Sequence, residues 1–191
     1  MNKIAIFASG SGTNAENIVK YFQNTPIEIV LILTNKEHAG VIERSKKLNI
    51  PCHYFSNEEM KQGIKPLKLL SEKEVDVIVL AGYLCLITPP YLDAFPKRII
   101  NIHPALLPSY GGKGMYGDHV HEAVINAGEK LSGITIHLVD EMYDHGRTLC
   151  QATCPVLPSD DAHSLSQRIH SLEYRYFPVT IEQYLDELRN R

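Results

Sequence analysis

No apolar run in this chain of 191 residues is long enough to cross a bilayer. The longest, "VIVLAGYLCLI" from Val77 to Ile87, is well short of the roughly 20 residues that a spanning helix needs. The opening "MNKIAIFASGSGTN" has too short an apolar stretch for a secretory signal, and a cytoplasmic protein with no membrane partner is expected. Cysteine is scarce: Cys52, Cys85, Cys150 and Cys154 form no C-x-x-C pair and lie in apolar segments. That pattern describes reduced thiols in a core rather than a disulfide framework. No sign of charge dominates either. A formal net charge of −3 gives no electrostatic reason to expect nucleic acid, so a small-molecule partner is favoured. Repeats, low-complexity segments and breaks in composition are missing too, and a chain of this length, 44% hydrophobic, is expected to form a single domain over 1–191.

What is present is a rhythm of short β-branched runs and amphipathic stretches, the pattern of a Rossmann-like α/β fold with a mostly parallel sheet flanked by helices. Strands are expected at Lys3 to Ala8, Glu28 to Leu33, Cys52 to Phe55, Val75 to Gly82 and "RIINIH". Helices are expected from Asn14 to about Gln23, near Val41 to Leu48, and across Asn57 to Lys73. Later the rhythm changes. A glycine-rich loop, "YGGKGMYG" (Tyr110 to Gly117), precedes a short helix over His119 to Asn126. The strands "GITIHLV" and "TLCQATCPV" leave no room for a crossover helix, so they should pair antiparallel at one side of the sheet. A closing helix from Asp161 to about Leu188 follows "LPSDD", whose Ser and Asp are natural caps.

Three places could carry chemistry. The loop "ASGSGTN" joins the first strand to a helix, where backbone amides and the helix dipole can cradle a phosphate. The second strand ends in "LTNKE", with Asn35 where a ribose-binding acid would mark a dinucleotide site, so a single phosphate is the better reading. In "NIHPALLPSY", Pro104 and Pro108 end the fifth strand, which leaves Asn101 and His103 side by side on one face of its carboxyl end. Asp144 lies in a charged turn with Asp140 and Glu141, and a structural reading as a solvated turn stands beside a functional one. Glu173 falls on the closing helix, where an exposed charge is the plain expectation. His119 with His121, and His163 with His170, show no convincing metal spacing, and no metal is assigned.

Together, "ASGSGTN", "LAGYLCLI", "NIHPALLPSY" and "SGITIHLVDEMYDHG" resemble the formyltransferase family over nearly the whole chain, and within it the members that formylate glycinamide ribonucleotide in purine synthesis. The resemblance implies Asn101, His103 and Asp144 as the catalytic set. It implies a phosphate and ribonucleotide site at Gly12, Thr13, Asn14 and Glu173. A pocket for the co-substrate 10-formyltetrahydrofolate is implied at Leu84, Cys85, Leu86 and Ile87, with Asn101 and the turn at Asp140 and Glu141. In the implied chemistry an amine attacks the formyl carbon, Asn101 and a protonated His103 donate to the oxyanion, and Asp144 keeps the imidazole cationic. Two departures from the family stand out. The helix before "LAG" offers Lys61 and Lys65 where many members have an arginine for the folate tail, and Gly146-Arg147 replaces the common Gly-Pro. The rival readings are a formyltetrahydrofolate deformylase and a non-catalytic nucleotide-binding module. Oligomeric state is not legible.

Overall fold

The computed structural model describes residues 2–190. Among them the order is β1 (Asn2–Phe7), α1 (Thr13–Tyr21), β2 (Ile27–Thr34), α2 (Gly40–Leu48), β3 (Cys52–Tyr54), α3 (Asn57–Gln62), α4 (Ile64–Glu72), β4 (Val77–Leu80), α5 (Pro89–Ala94), β5 (Ile99–His103), α6 (Asp118–Asn126), β6 (Leu131–Leu138), β7 (Thr148–Pro155) and α7 (Ala162–Arg189). The strands form one mixed sheet, hydrogen-bonded in the order β3-β2-β1-β4-β5-β6-β7. The pairs β1 with β2, β1 with β4, β2 with β3 and β4 with β5 are parallel, and β6 with β7 is antiparallel. This is the α/β class and the late antiparallel pair expected from the sequence. No helix among the described residues is long and apolar enough to cross a membrane.

Contacts cluster in two compact units, Met1–Asn101 and Ile102–Arg191. In the first, Ile4, Ile6, Phe7, Leu31, Ile32, Leu33 and Ile78 are wholly buried. Their strands read as continuous apolar runs because a parallel sheet is covered on both faces. The helix expected over Asn57 to Lys73 is two helices. Gly63 adopts φ 76°, closing α3 and opening α4, and a left-handed residue cannot continue a right-handed helix. The short α5, which begins with Pro89 and Pro90 in its first turn, is an element that the alternation of runs did not suggest.

In the second unit, Ile134 and Ile136 of β6 and Leu165, Ile169, Phe177 and Ile181 of α7 are buried core. Their spacing along α7 is that of one helix face. Asp161 caps α7 as expected: its carboxylate accepts from the Ser164 N–H at 2.7 Å, and its own N–H donates to the Ser164 hydroxyl at 3.1 Å.

Candidate active site

In the first unit, the loop after β1 turns at Gly12, with φ 79° as the residue before α1. A Cβ there would lie 2.5 Å from Val41 Cγ2 and 2.9 Å from Val41 Cα, so glycine is required both by conformation and by the approach of α2. The loop's carbonyls face α2: Val41 N–H donates to Gly10 O at 3.1 Å and Arg44 Nε to Ser11 O at 2.8 Å. Gly12 has no side chain to cap α1, and the acid in the first turn, Glu16, is paired with Lys20 and Arg44. Thr13 is half-buried and Asn14 is buried in this turn.

The segment after β4 carries Leu84, Cys85, Leu86 and Ile87. Leu84 and Leu86 are exposed, at 47% and 39%, while Ile87 is buried. A polar network braces this segment from behind. Ser9 Oγ donates to Asn35 Oδ1 at 2.6 Å and accepts from Leu84 N–H at 3.1 Å. The Asn35 amide in turn donates to Asn57 Oδ1 at 2.7 Å and to Cys85 Sγ at 3.2 Å. Asn35, which stands where a dinucleotide site would have an acid, is therefore committed to holding the loop. Thr88 ties the same loop to α3 through the Lys61 carbonyl at 2.8 Å, and Lys65 pairs with Glu59 at 2.6 Å. Asn101, half-buried, is the residue of β5 that pairs with Leu80.

In the second unit, His103 is 3% exposed at the end of β5. Its Nε2 lies 2.7 Å from the Tyr110 carbonyl, which can only accept, so Nε2 carries a proton. Its Nδ1 faces Asp144 Oδ2 at 3.5 Å. His137 of β6 repeats the arrangement: Nδ1 donates to the Leu138 carbonyl at 2.8 Å, and Nε2 faces Asp144 Oδ1 at 3.6 Å. Asp144 is thus flanked by two imidazoles. Each ring bonds a backbone carbonyl through one nitrogen and turns the other toward the carboxylate, and a proton on the His103 nitrogen makes that contact charge-assisted. Asp144 itself sits at φ 55°, and its Oδ2 accepts the Gly112 N–H at 2.9 Å.

Burial has the largest effect on both partners. It pushes the His103 pKa down, and the attraction of Asp144 and the hydrogen bond to Tyr110 only partly offset this, so the net shift is below the ordinary 6.5. For Asp144, burial alone would raise the pKa. The hydrogen bond with His137, the charge of His103 and the Gly112 N–H outweigh it and hold the carboxyl below its usual range. At neutral pH the resting pair is an uncharged imidazole beside a carboxylate. Burial thus opposes the expectation that Asp144 keeps His103 cationic, although the carboxylate 3.5 Å away does pull the His103 pKa up.

The rest of the turn is locally satisfied. Asp140 accepts from Met142 N–H and His145 Nδ1, both at 2.9 Å, and Glu141 is exposed. Gly146 is obligatory, since a Cβ would fall 1.9 Å from the Leu138 carbonyl oxygen. Arg147, where the family commonly has proline, reaches both Glu187 oxygens at 3.1 Å and lies 5.5 Å over the Tyr184 ring, tying the turn to α7. Glu173 is not the exposed helix charge that its setting suggested but is 5% exposed, and His121 is buried as well. His137 is the residue that sequence reasoning passed over. Its signal was a lone histidine in the buried run "GITIHLV", just before an acidic turn.

Residues 2–181 match the formyl transferase family, and the chain belongs to it. It is similar to the phosphoribosylglycinamide formyltransferase of Bacillus subtilis, 38% identical over 197 residues covering 100% of this chain and 98% of that one. It also resembles the chloroplastic phosphoribosylglycinamide formyltransferase of Arabidopsis thaliana, at 40% identity over 192 residues and 97% of this chain. The chain spans just under two thirds of that chloroplastic relative, 66% of its length. Among solved structures, the phosphoribosylglycinamide formyltransferase of Bacillus halodurans superposes with a TM-score of 0.88 at 38% identity, covering 96% of this chain and 95% of that one.

Proposed function

We propose that this chain, acting over residues 1–191 as one formyltransferase domain, transfers the formyl group of 10-formyltetrahydrofolate to the primary amine of glycinamide ribonucleotide. The observation that carries this reading is Asp144 flanked by two buried imidazoles in a chain of the formyl transferase family. A binding module has no need of such a proton-handling group. The proposal includes a cytoplasmic location and small-molecule substrates, without metal or nucleic acid.

The neutral amine attacks the formyl carbon, and the carbonyl oxygen becomes an oxyanion to which the Asn101 amide donates. His103, uncharged at rest, takes the proton that the attacking nitrogen sheds. The imidazolium so formed is stabilised by Asp144, and its positive charge favours the developing oxyanion. Collapse breaks the bond from the formyl carbon to the folate nitrogen, and His103 returns the proton to that leaving nitrogen. Gly12, Thr13 and Asn14 hold the substrate phosphate at the start of α1, and Glu173 accepts hydrogen bonds from the ribonucleotide. Leu84, Cys85, Leu86 and Ile87 wall the pterin, and Asp140 and Glu141 are assigned to folate binding as well.

The test is to supply formyl-folate with and without glycinamide ribonucleotide and follow the formyl group by mass. Formylated ribonucleotide is expected only when the acceptor is present. Equal release of formate without it would instead support the deformylase reading.

A further inference from the structure

Glu173 of α7 is a carboxylate with only 5% of its surface exposed. A carboxylate so far from water is tolerated only with a charged or hydrogen-bonded partner. One such partner is His170, one turn earlier, whose Nδ1 donates to Glu173 Oε2 at 2.8 Å. The His170 ring stacks on Tyr174, centroids 6.1 Å apart and planes inclined by 12°, which fixes its orientation. We infer that His170 is a positioning residue, which holds Glu173 as an oriented carboxylate for the acceptor nucleotide and makes acceptor binding depend on its own protonation. This rests on the preceding reading, in which Glu173 meets the ribonucleotide.

Asp118 and His121 of α6 act on the pair, His103 of β5 acts on His121, and the Tyr174 ring of α7 stacks on His170. His121 does not supply the balancing charge. It is 3% exposed, its Nδ1 makes no hydrogen bond, and burial pushes its pKa down, so it stays neutral. His170 is half-exposed, and its hydrogen bond to Glu173 raises its pKa above 6.5. Below that raised value the pair is an ion pair. Above it, a neutral ring still donates but no longer offsets the buried negative charge.

Calorimetric titration of the protein with glycinamide ribonucleotide, from about pH 6 to 9, tests the inference. In the parent, the acceptor Kd should rise about three- to tenfold as His170 loses its proton. His170→Gln keeps an N–H donor without charge, so its Kd should be raised already at the acid end and lack this added rise. The acceptor's own amine titrates equally in both proteins and cancels in the comparison. NMR titration of His170 should show its pKa falling in Glu173→Gln. A parent-like Kd profile in His170→Gln, or a His170 pKa indifferent to Glu173→Gln, would overturn the inference while leaving formyl transfer intact. Acceptor binding with the expected pH profile but no transfer would instead sink the catalytic reading alone.

Discussion

Asp144 faces two bases at once, and the consequences are individual to each residue. His103 and His137 both face its carboxylate, and burial depresses the His103 pKa. Asp144→Asn keeps the size of the side chain and removes the charge that pulls the His103 pKa back up. The His103 pKa should therefore fall further, and the limb on which activity is lost at low pH should move to lower pH, because the neutral ring is the proton acceptor. The maximum rate should drop by roughly a hundredfold or more, since the imidazolium formed during attack loses its counter-charge. Rate against pH, with His103 titrated by NMR in both proteins, measures both effects. An unchanged His103 pKa would remove Asp144 from this electrostatic role even if the rate fell.

Elements act here through their ends. α1 begins at a left-handed Gly12 pressed against Val41, and the loop before it gives its carbonyls to α2. Gly12→Ala asks a Cβ to occupy space already filled and a non-glycine residue to hold φ 79°, so it should cost about 1–3 kcal/mol. It should also weaken acceptor binding more than formyl-folate binding, because the first turn of α1 is the proposed phosphate cradle. Urea unfolding and separate titrations with the two substrates test this, and a variant as stable as the parent would mean that the loop can yield. The same left-handed geometry at Gly63 turns one amphipathic pattern into α3 and α4. The apolar periodicity on either side of that glycine could not reveal the break, since only the backbone angle interrupts it.

For the molecule as a whole, burial of His103 and His121 sets a stability limit on the acid side of neutrality. Both have folded pKa values below the ordinary 6.5, so the unfolded chain binds protons first as pH falls. The stability they contribute is complete above about pH 6.5 and is lost as pH falls through their folded values. His170, raised rather than lowered, works in the opposite direction, but it is half-exposed and screened. The thermal midpoint should therefore decline between about pH 7 and 5, before most carboxylates titrate, and His121→Asn should flatten the decline. A parent midpoint unchanged over that interval would contradict this account. By itself the sequence determined the strand order of apolar runs, the antiparallel last pair, the glycine turn before α1, the family, and the pairing of Asn101 with His103 on one strand end. Each is written in local spacing, where alternation, prolines and caps act within a few residues. Only the tertiary structure decided that Asp144 meets His137 as well as His103, that His103 rests uncharged, and that Glu173 and His121 lie buried. Those outcomes depend on which surfaces lose water when distant segments pack, and desolvation is a property of the surroundings that no short stretch of residues carries.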